Sequence, residues 1–324
     1  MQKYSLLARN ENNFALKNAI IGFFCICRPV LRQLKHKMKM KILLFGNSYQ
    51  RQSLDGIKSL IGHIVSRGIE CCVEREFHDY LVQSLGSCDG VHVLDSDSIP
   101  DAHLAISLGG DGTFLTTVMW VSPHHIPILG VNTGHLGYLT ACNLANACDM
   151  VDDFIDGNYT TERRTMVQVQ CDALHIAHPY ALNEVAVLRH DTSSMIEMET
   201  SLRGLPLTTY KGDGLVISTP TGSTAYNLSA GGPIMAPSAP CLVLTPVSAH
   251  SLTMRPIVVP DDAEVSITTH SRSDHYLVSL DGESHPCPTG STLTITKSPV
   301  NVIVVQRRGH NFASTLQQKL HWGQ

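Results

Sequence analysis

The chain has 324 residues, 43% of them apolar and 16% charged, with a formal net charge of −4. That balance describes a globular, soluble chain with enough residues for two domains and ample core. Its lysines and arginines are scattered, which excludes a nucleic-acid binder that works by a basic patch.

Residues 1–39 differ in character from the rest. A mixed polar start leads to an apolar run over residues 19–27, followed by Arg28, Arg32, Lys35 and Lys37. The run is too short to span a bilayer. Its charge lies on the C-terminal side and no small-x-small cleavage site follows, so a signal peptide fits poorly. The expectation is an N-terminal extension outside the core, with the folded protein beginning near Met40; a peripheral membrane anchor is the alternative.

From Lys41 the pattern alternates. Residues 42–45 read as a strand ended by Gly46-Asn47. Ile57, Leu60, Ile61, Ile64 and Val65 recur at helical spacing, with Gly68 at the C-cap. Residues 69–73 form a second strand, Phe77, Leu81 and Leu85 mark one helix face, and residues 91–94 a short strand. Leu104–Leu108 is a buried-strand run that breaks on Gly109, Gly110, Asp111, Gly112 and Thr113 before a helical stretch at 114–120. Residues 126–131 make a further strand, and Asn132, Gly134 and Gly137 a second glycine loop. Residues 144–156 read as a helix ending at Gly157. Strands alternating with helices imply a Rossmann-like parallel sheet, with ligands at the C-terminal strand ends.

After Thr160 β-rich runs dominate, at 166–171, 181–188, 196–202, 205–210, 215–218, 242–247, 265–269, 276–280, 293–296 and 300–305. Turn signals such as Asp281-Gly282 and Arg308-Gly309 separate some of them. That is an all-β, sandwich-like domain of two packed sheets. Phe312, Leu316 and Leu320 then share one face of a C-terminal helix, most simply buried against the first domain. The expected division is residues 1–39, an extension; 40–145, an α/β domain; 146–310, a β-rich ligand-binding domain; and 311–324, the returning helix.

The glycine stretch at 109–113 is suited to phosphate, because glycines let the backbone approach and a helix start presents free N–H groups. A carboxylate there repels phosphate unless Asp111 binds through Mg²⁺ or takes a proton from an attacking hydroxyl. Both readings point to phosphoryl transfer. The chain has no G-x-x-x-x-G-K-[ST], and Gly110-x-Gly112 lacks the third glycine of G-x-G-x-x-G. A plain Gly-Asp-Gly turn is the alternative. Two further segments stand out. Residues 211–233 carry a hydroxyl-rich turn, Ser223-Thr224-Ala225-Tyr226, suited to a nucleoside's polar edges and flat face, or else a polar loop with a helix cap. Asn183-Glu184 inside an apolar run needs partners, from a ligand or from a neighbouring strand.

The ten cysteines include no C-x-x-C, so reduced cytoplasmic thiols are expected. His124-His125 and His175-x-x-His178 have no cysteine or acid partner at ligand spacing, so no protein-built metal site is expected.

Gly109-Gly-Asp-Gly-Thr113, Asn132-Thr-Gly-His-Leu-Gly-Tyr138, Asn183-Glu184, Asp213-Gly214, Thr219-Pro-Thr-Gly-Ser-Thr-Ala-Tyr226 and Ser229-Ala-Gly-Gly-Pro233 together resemble the NAD kinases, in order from about Met40 to the C-terminus. The resemblance implies transfer of the γ-phosphoryl of ATP to the 2′-hydroxyl of the adenosine ribose of NAD. It implies Asp111 as proton acceptor and the surrounding Gly109, Gly110, Gly112 and Thr113 on phosphates with a divalent cation, Mg²⁺. It further implies Asn183, Glu184, Lys211, Asp213, Thr224, Ala225, Tyr226, Asn227, Leu228, Ser229, Ser248 and Glu283 on the dinucleotide. A cytoplasmic homo-oligomer, dimer or tetramer, with no nucleic-acid or membrane partner, is the accompanying expectation. Lys211-Gly212 stands where many relatives carry an arginine with a small polar neighbour, and Glu283 where some carry glutamine; both departures bear on NAD against NADH. A lipid or sugar kinase sharing the first motif and a non-catalytic dinucleotide sensor are the competing readings.

Overall fold

The structure, a computed structural model, describes residues 40–48, 50–95, 99–134, 137–191 and 195–323. The expected extension at 1–39, His135 and Leu136 of the second glycine loop, and the last residue lie outside the described residues.

In the first half the elements alternate: β1 (Lys41–Phe45), α1 (Leu54–Ser66), β2 (Glu70–Glu74), α2 (Arg75–Leu85), β3 (Val91–Leu94), β4 (Leu104–Leu108), α3 (Asp111–Val121), β5 (Ile128–Asn132), β6 (Cys142–Asn143) and α4 (Ala147–Asp156). Every residue of β4 and β5 is buried, as expected of parallel strands covered on both faces. The α1 stripe Ile57, Leu60, Ile61 and Ile64 is buried against them. Glu74 starts α2 by accepting the N–H groups of Glu76 and Phe77, each at 2.9 Å. The parallel order is β3-β2-β1-β4-β5, so chain progression reverses between β1 and β4. Ligands bind outside the strand ends at such a switch point, and the Gly109 loop leaves β4 there.

The second half holds β7 (Tyr159–Gln170), β8 (Tyr180–Ala181), β9 (Glu184–Arg189), β10 (Ile196–Leu202), β11 (Leu205–Gly212), β12 (Gly214–Ser218), a 3-10 turn Thr221–Thr224, α5 (Tyr226–Ser229), β13 (Cys241–Val247), β14 (Ile257–Pro260), β15 (Val265–His270), β16 (His275–Leu280), β17 (Glu283–Pro288), β18 (Thr292–Arg307) and α6 (Phe312–Leu320). A six-stranded sheet, β14-β13-β12-β9-β16-β17, is antiparallel throughout. Its Val187, Leu215, Ile217 and Tyr276 pack on Met198, Ile267, Leu293 and Ile295 of the other sheet to form one core.

That other sheet is shared between the halves. β18 runs antiparallel to β7 and β15, and its Val304 lies in parallel register beside Ile128 of β5. The runs expected at 293–296 and 300–305 are this single strand, bent where the register against β7 shifts between Lys297 and Asn301. β14 and β17 are strands beyond those expected; β14 has a short β-branched signal, Ile257-Val258-Val259, and β17 has none. β17 reads Glu-Ser-His-Pro-Cys-Pro, and prolines of that kind are tolerated because both strands lie at the edges of their sheet.

Ile295, fully buried on the shared strand, sets a test. Ile295→Ala is expected to lower stability by about 2–5 kcal/mol, seen as a lower urea midpoint at unchanged slope.

Candidate active site

The Gly109 loop is built by close approach. A Cβ on Gly109 would lie 2.2 Å from Thr113 Oγ1, so only glycine fits against the first turn of α3. The same Thr113 oxygen accepts Asn47 Nδ2 at 2.8 Å, tying the loop after β4 to the end of β1. Gly110 and Gly112 are exposed, with open space where a side chain would be.

Asp111 opens α3 and turns its carboxylate toward the loop after β5. It accepts the N–H of Tyr138 at 2.8 Å and of Leu139 at 2.9 Å. A Cβ on Gly137 would sit 2.1 Å from Asp111 Oδ1, so the contact exists only because residue 137 is glycine. In the same loop Asn132 Oδ1 accepts the N–H of Gly134 at 2.7 Å, and Ser53 Oγ donates to Thr133 O at 2.8 Å. Gly109, Gly110, Thr133, Gly134, Asn47 and Arg51 line an open cleft of about 750 Å³ at this sheet edge.

On the β half the organising group is Asp281, which the sequence presents only as a turn residue. Asp281 and Gly282 have φ of 50° and 95°, the left-handed pair of a tight hairpin between β16 and β17. The Asp281 carboxylate accepts the N–H groups of Leu182 (2.7 Å), Asn183 (2.8 Å) and Glu184 (3.0 Å). Burial pushes it up to about 6 despite those three donors. Glu184 is buried too. Burial, and then the Asp281 charge, push it up to about 8 against the opposing N–H of Tyr226. Its Oε2 is buried without a partner. At neutral pH Glu184 is therefore mainly protonated, able both to donate and to accept.

The hydroxyl-rich turn packs on this pair. Thr219 donates its N–H to Asn183 O at 2.9 Å, and a Cβ on Gly222 would meet the same oxygen at 2.1 Å. Asn227 is fully buried as a brace: its amide donates to Ser223 O (3.2 Å) and Pro233 O (3.1 Å), and its oxygen accepts from Thr245 Oγ1 at 2.6 Å. Thr224, Ala225, Tyr226 and Leu228 are half-buried and Ser229 is exposed. Burial, then the charges of Asp213 and Glu184, raise the Tyr226 phenol above its ordinary value. Asp213 pairs with Arg189 at 3.0 Å. The structure thus brings Asn183, Glu184, Asp213 and residues 224–226 into one neighbourhood.

Lys211, Ser248 and Glu283 lie at the exposed margin of this neighbourhood. Lys211 pairs across the strands with Glu197 at 2.8 Å, in an exposed ion pair. Ser248 is exposed at a left-handed φ of 48°, beside Gly212, whose Cβ would meet Ser248 O at 2.9 Å. Glu283 has an 80% exposed side chain and lies 3.5 Å from His285.

A cavity of about 170 Å³ joins the halves. Tyr138 and Leu139, which hold Asp111, form one wall; Pro220, Thr221 and Thr224 form the other. Among the described residues no three His, Cys, Asp or Glu side chains are grouped to hold a metal. One carboxylate in an open glycine cradle nevertheless fits Mg²⁺ arriving on substrate phosphates, since that ion usually takes one or two carboxylates and keeps waters.

A switch-point glycine loop with one carboxylate, held by a loop that lines a cavity shared with a nucleoside-suited turn, fits a kinase acting on an alcohol. The comparisons with known proteins specify which. The ATP-NAD kinase N-terminal domain model matches residues 42–159, and the C-terminal domain model residues 182–307. The NAD kinase of Bacteroides fragilis is 43% identical over 285 residues, covering 88% of this chain and 98% of that protein. That of Flavobacterium johnsoniae is 39% identical over 290 residues, covering 88% and 99%. Among solved structures, yeast NADH kinase complexed with NADH aligns with a TM-score of 0.79 at 20% identity, over 88% of each chain. An Archaeoglobus fulgidus NAD kinase in complex with ATP aligns at 0.64 and 22% identity, over 88% of this chain and 98% of that one. The chain belongs to the NAD kinase family.

Two outcomes follow from the site's packing. Gly137→Ala forces the Asp111 carboxylate off its N–H donors, and NADP formation should fall by roughly a hundredfold with the melting temperature little changed. Glu184 has its folded-state value raised from an ordinary 4.5 to about 8. The cost of keeping it buried is absent below about 4.5, grows as the unfolded chain ionises, and is complete above about 8. Ligand-free stability should therefore decline across that window, and Glu184→Gln should flatten the decline in a pH series of thermal melts.

Proposed function

We propose that the protein transfers the γ-phosphoryl group of ATP to the 2′-hydroxyl of the adenosine ribose of NAD, forming NADP. The observation that carries this reading is the cavity between the halves, lined by Tyr138 and Leu139, whose N–H groups hold Asp111, and by Pro220, Thr221 and Thr224 of the hydroxyl-rich turn. A dinucleotide held on the β half can then present a ribose hydroxyl to the acid of the α/β half.

In this mechanism Asp111 takes the proton of the 2′-hydroxyl. The N–H groups of Tyr138 and Leu139 hold its carboxylate aimed beforehand. Gly109, Gly110 and Gly112 leave the start of α3 open, so its free N–H groups face the donor's phosphates. Arg51, at the rim of the same cleft, adds positive charge. A divalent cation arriving with ATP would find the Asp111 loop as its protein partner and would supply charge neutralisation to the transferred group. Glu184, mainly protonated, hydrogen-bonds the dinucleotide without repelling its pyrophosphate, and Asn183, Asp213 and Thr224–Tyr226 complete the nucleoside contacts. Positioning and charge neutralisation supply most of the rate, because the loose transition state of phosphoryl transfer leaves little covalent work.

We further propose a cytoplasmic homo-oligomer. No helix among the described residues is long and apolar enough to cross a membrane.

The test is NADP formation from NAD, ATP and Mg²⁺ by purified protein. Asp111→Asn should lower kcat by roughly 10²- to 10⁴-fold while calorimetric NAD affinity changes little. Phosphorylation of a lipid alcohol in place of NAD, or full activity of Asp111→Asn, would overturn the reading.

A further inference from the structure

We propose that Lys319, on the C-terminal helix α6, is a positioning residue for the phosphoryl transfer, holding from one side the peptide whose other side holds Asp111. The proposal rests on the NAD kinase reading above. Lys319 Nζ donates to Gly137 O, and the Tyr138 N–H donates to Asp111 Oδ2. Gly137 C=O and Tyr138 N–H are the two ends of one planar peptide unit. The chain of contacts is therefore ammonium, carbonyl, N–H, carboxylate, with a single rigid amide between opposite charges. A cation on the carbonyl polarises the amide and strengthens its N–H as a donor. If the peptide plane turns, the carbonyl leaves Lys319 and the N–H leaves Asp111 together.

Packing fixes the ammonium in place. It lies 5.4 Å from the centre of the Tyr138 ring, a cation–π distance. Leu316 and Thr315 bury one side of α6, and the Asn311 side chain caps the helix by accepting the Ser314 N–H at 2.9 Å. The charged and titratable groups around Lys319 are Asp111 from α3, Arg164 from β7 with Glu162 bound to it at 2.7 Å, the Tyr138 phenol, and His310 just before α6. Burial brings Lys319 down to about 8; Asp111 favours its charge and Arg164 opposes it. The ammonium is thus present at neutral pH and lost as pH rises through about 8. With its charge goes the polarisation of the 137–138 peptide.

A lysine that merely pinned the helix would leave the chemistry's pH dependence alone, which separates the two roles. The wild type should show an alkaline fall in kcat centred near 8. Lys319→Arg keeps the charge at any accessible pH and should move that fall upward by at least one pH unit. Lys319→Met should lower kcat at pH 7 by roughly ten- to a hundredfold, with the KM for NAD changed less than about threefold. In the ligand-free protein, the NMR shift of the Tyr138 amide proton should titrate near pH 8 in the wild type and not in Lys319→Arg. NADP formation with a flat Tyr138 titration and an alkaline limb unmoved by Lys319→Arg would overturn the proposal, even if Lys319→Met failed to fold. A titrating Tyr138 amide in a protein that makes no NADP would instead sink the substrate reading and leave the peptide link standing.

Discussion

The pair of backbone N–H groups that donate to the Asp111 carboxylate governs how the rest of the site is arranged. An acid that must meet a ribose hydroxyl needs a fixed direction as much as a short distance. Two oriented amides fix the carboxylate without bringing in a mobile side chain. The arrangement needs β4 and β5 as parallel neighbours, so that their following loops leave the same sheet edge side by side. It also needs residue 137 to be glycine, because any Cβ would occupy the carboxylate's position.

The β half solves a related problem differently. Asp281, in a hairpin turn, gathers the three successive N–H groups of residues 182–184 and so fixes the backbone that carries Asn183 and Glu184. Burial there acts on two carboxyls at once. Because Asp281 has donors and one Glu184 oxygen has none, the proton resides on Glu184. The pocket thereby keeps an acid's hydrogen-bonding capacity without a second full negative charge beside an anionic dinucleotide.

Much of this was legible in the residues. The parallel half announced itself through short apolar runs alternating with helical spacing, and Asp111 among its glycines identified the sheet edge that matters. What stayed hidden depends on distance along the chain. Asp281 reads as a turn because its partners lie about a hundred residues earlier. Lys319 reads as an ordinary charge on a helix's outer side, because only the folded chain brings Gly137 to it. β17 escaped because its prolines argue against a strand, an argument that fails at an edge where no neighbour requires the N–H. The two runs of β18 look like separate strands because Ser298-Pro299 interrupts them, and the register shift falls there. Asn227 resembles a ligand contact within its motif, yet its amide is occupied by the protein's own carbonyls and the Thr245 hydroxyl.

β18 bears on how the two halves are joined. Its 16 residues bond to β7 and β15 in one half and reach β5 in the other. A strand shared by both halves ties them through the sheet itself, unlike enzymes whose two lobes are joined only by a linker. The same continuity couples the two halves through the backbone ladder of one sheet.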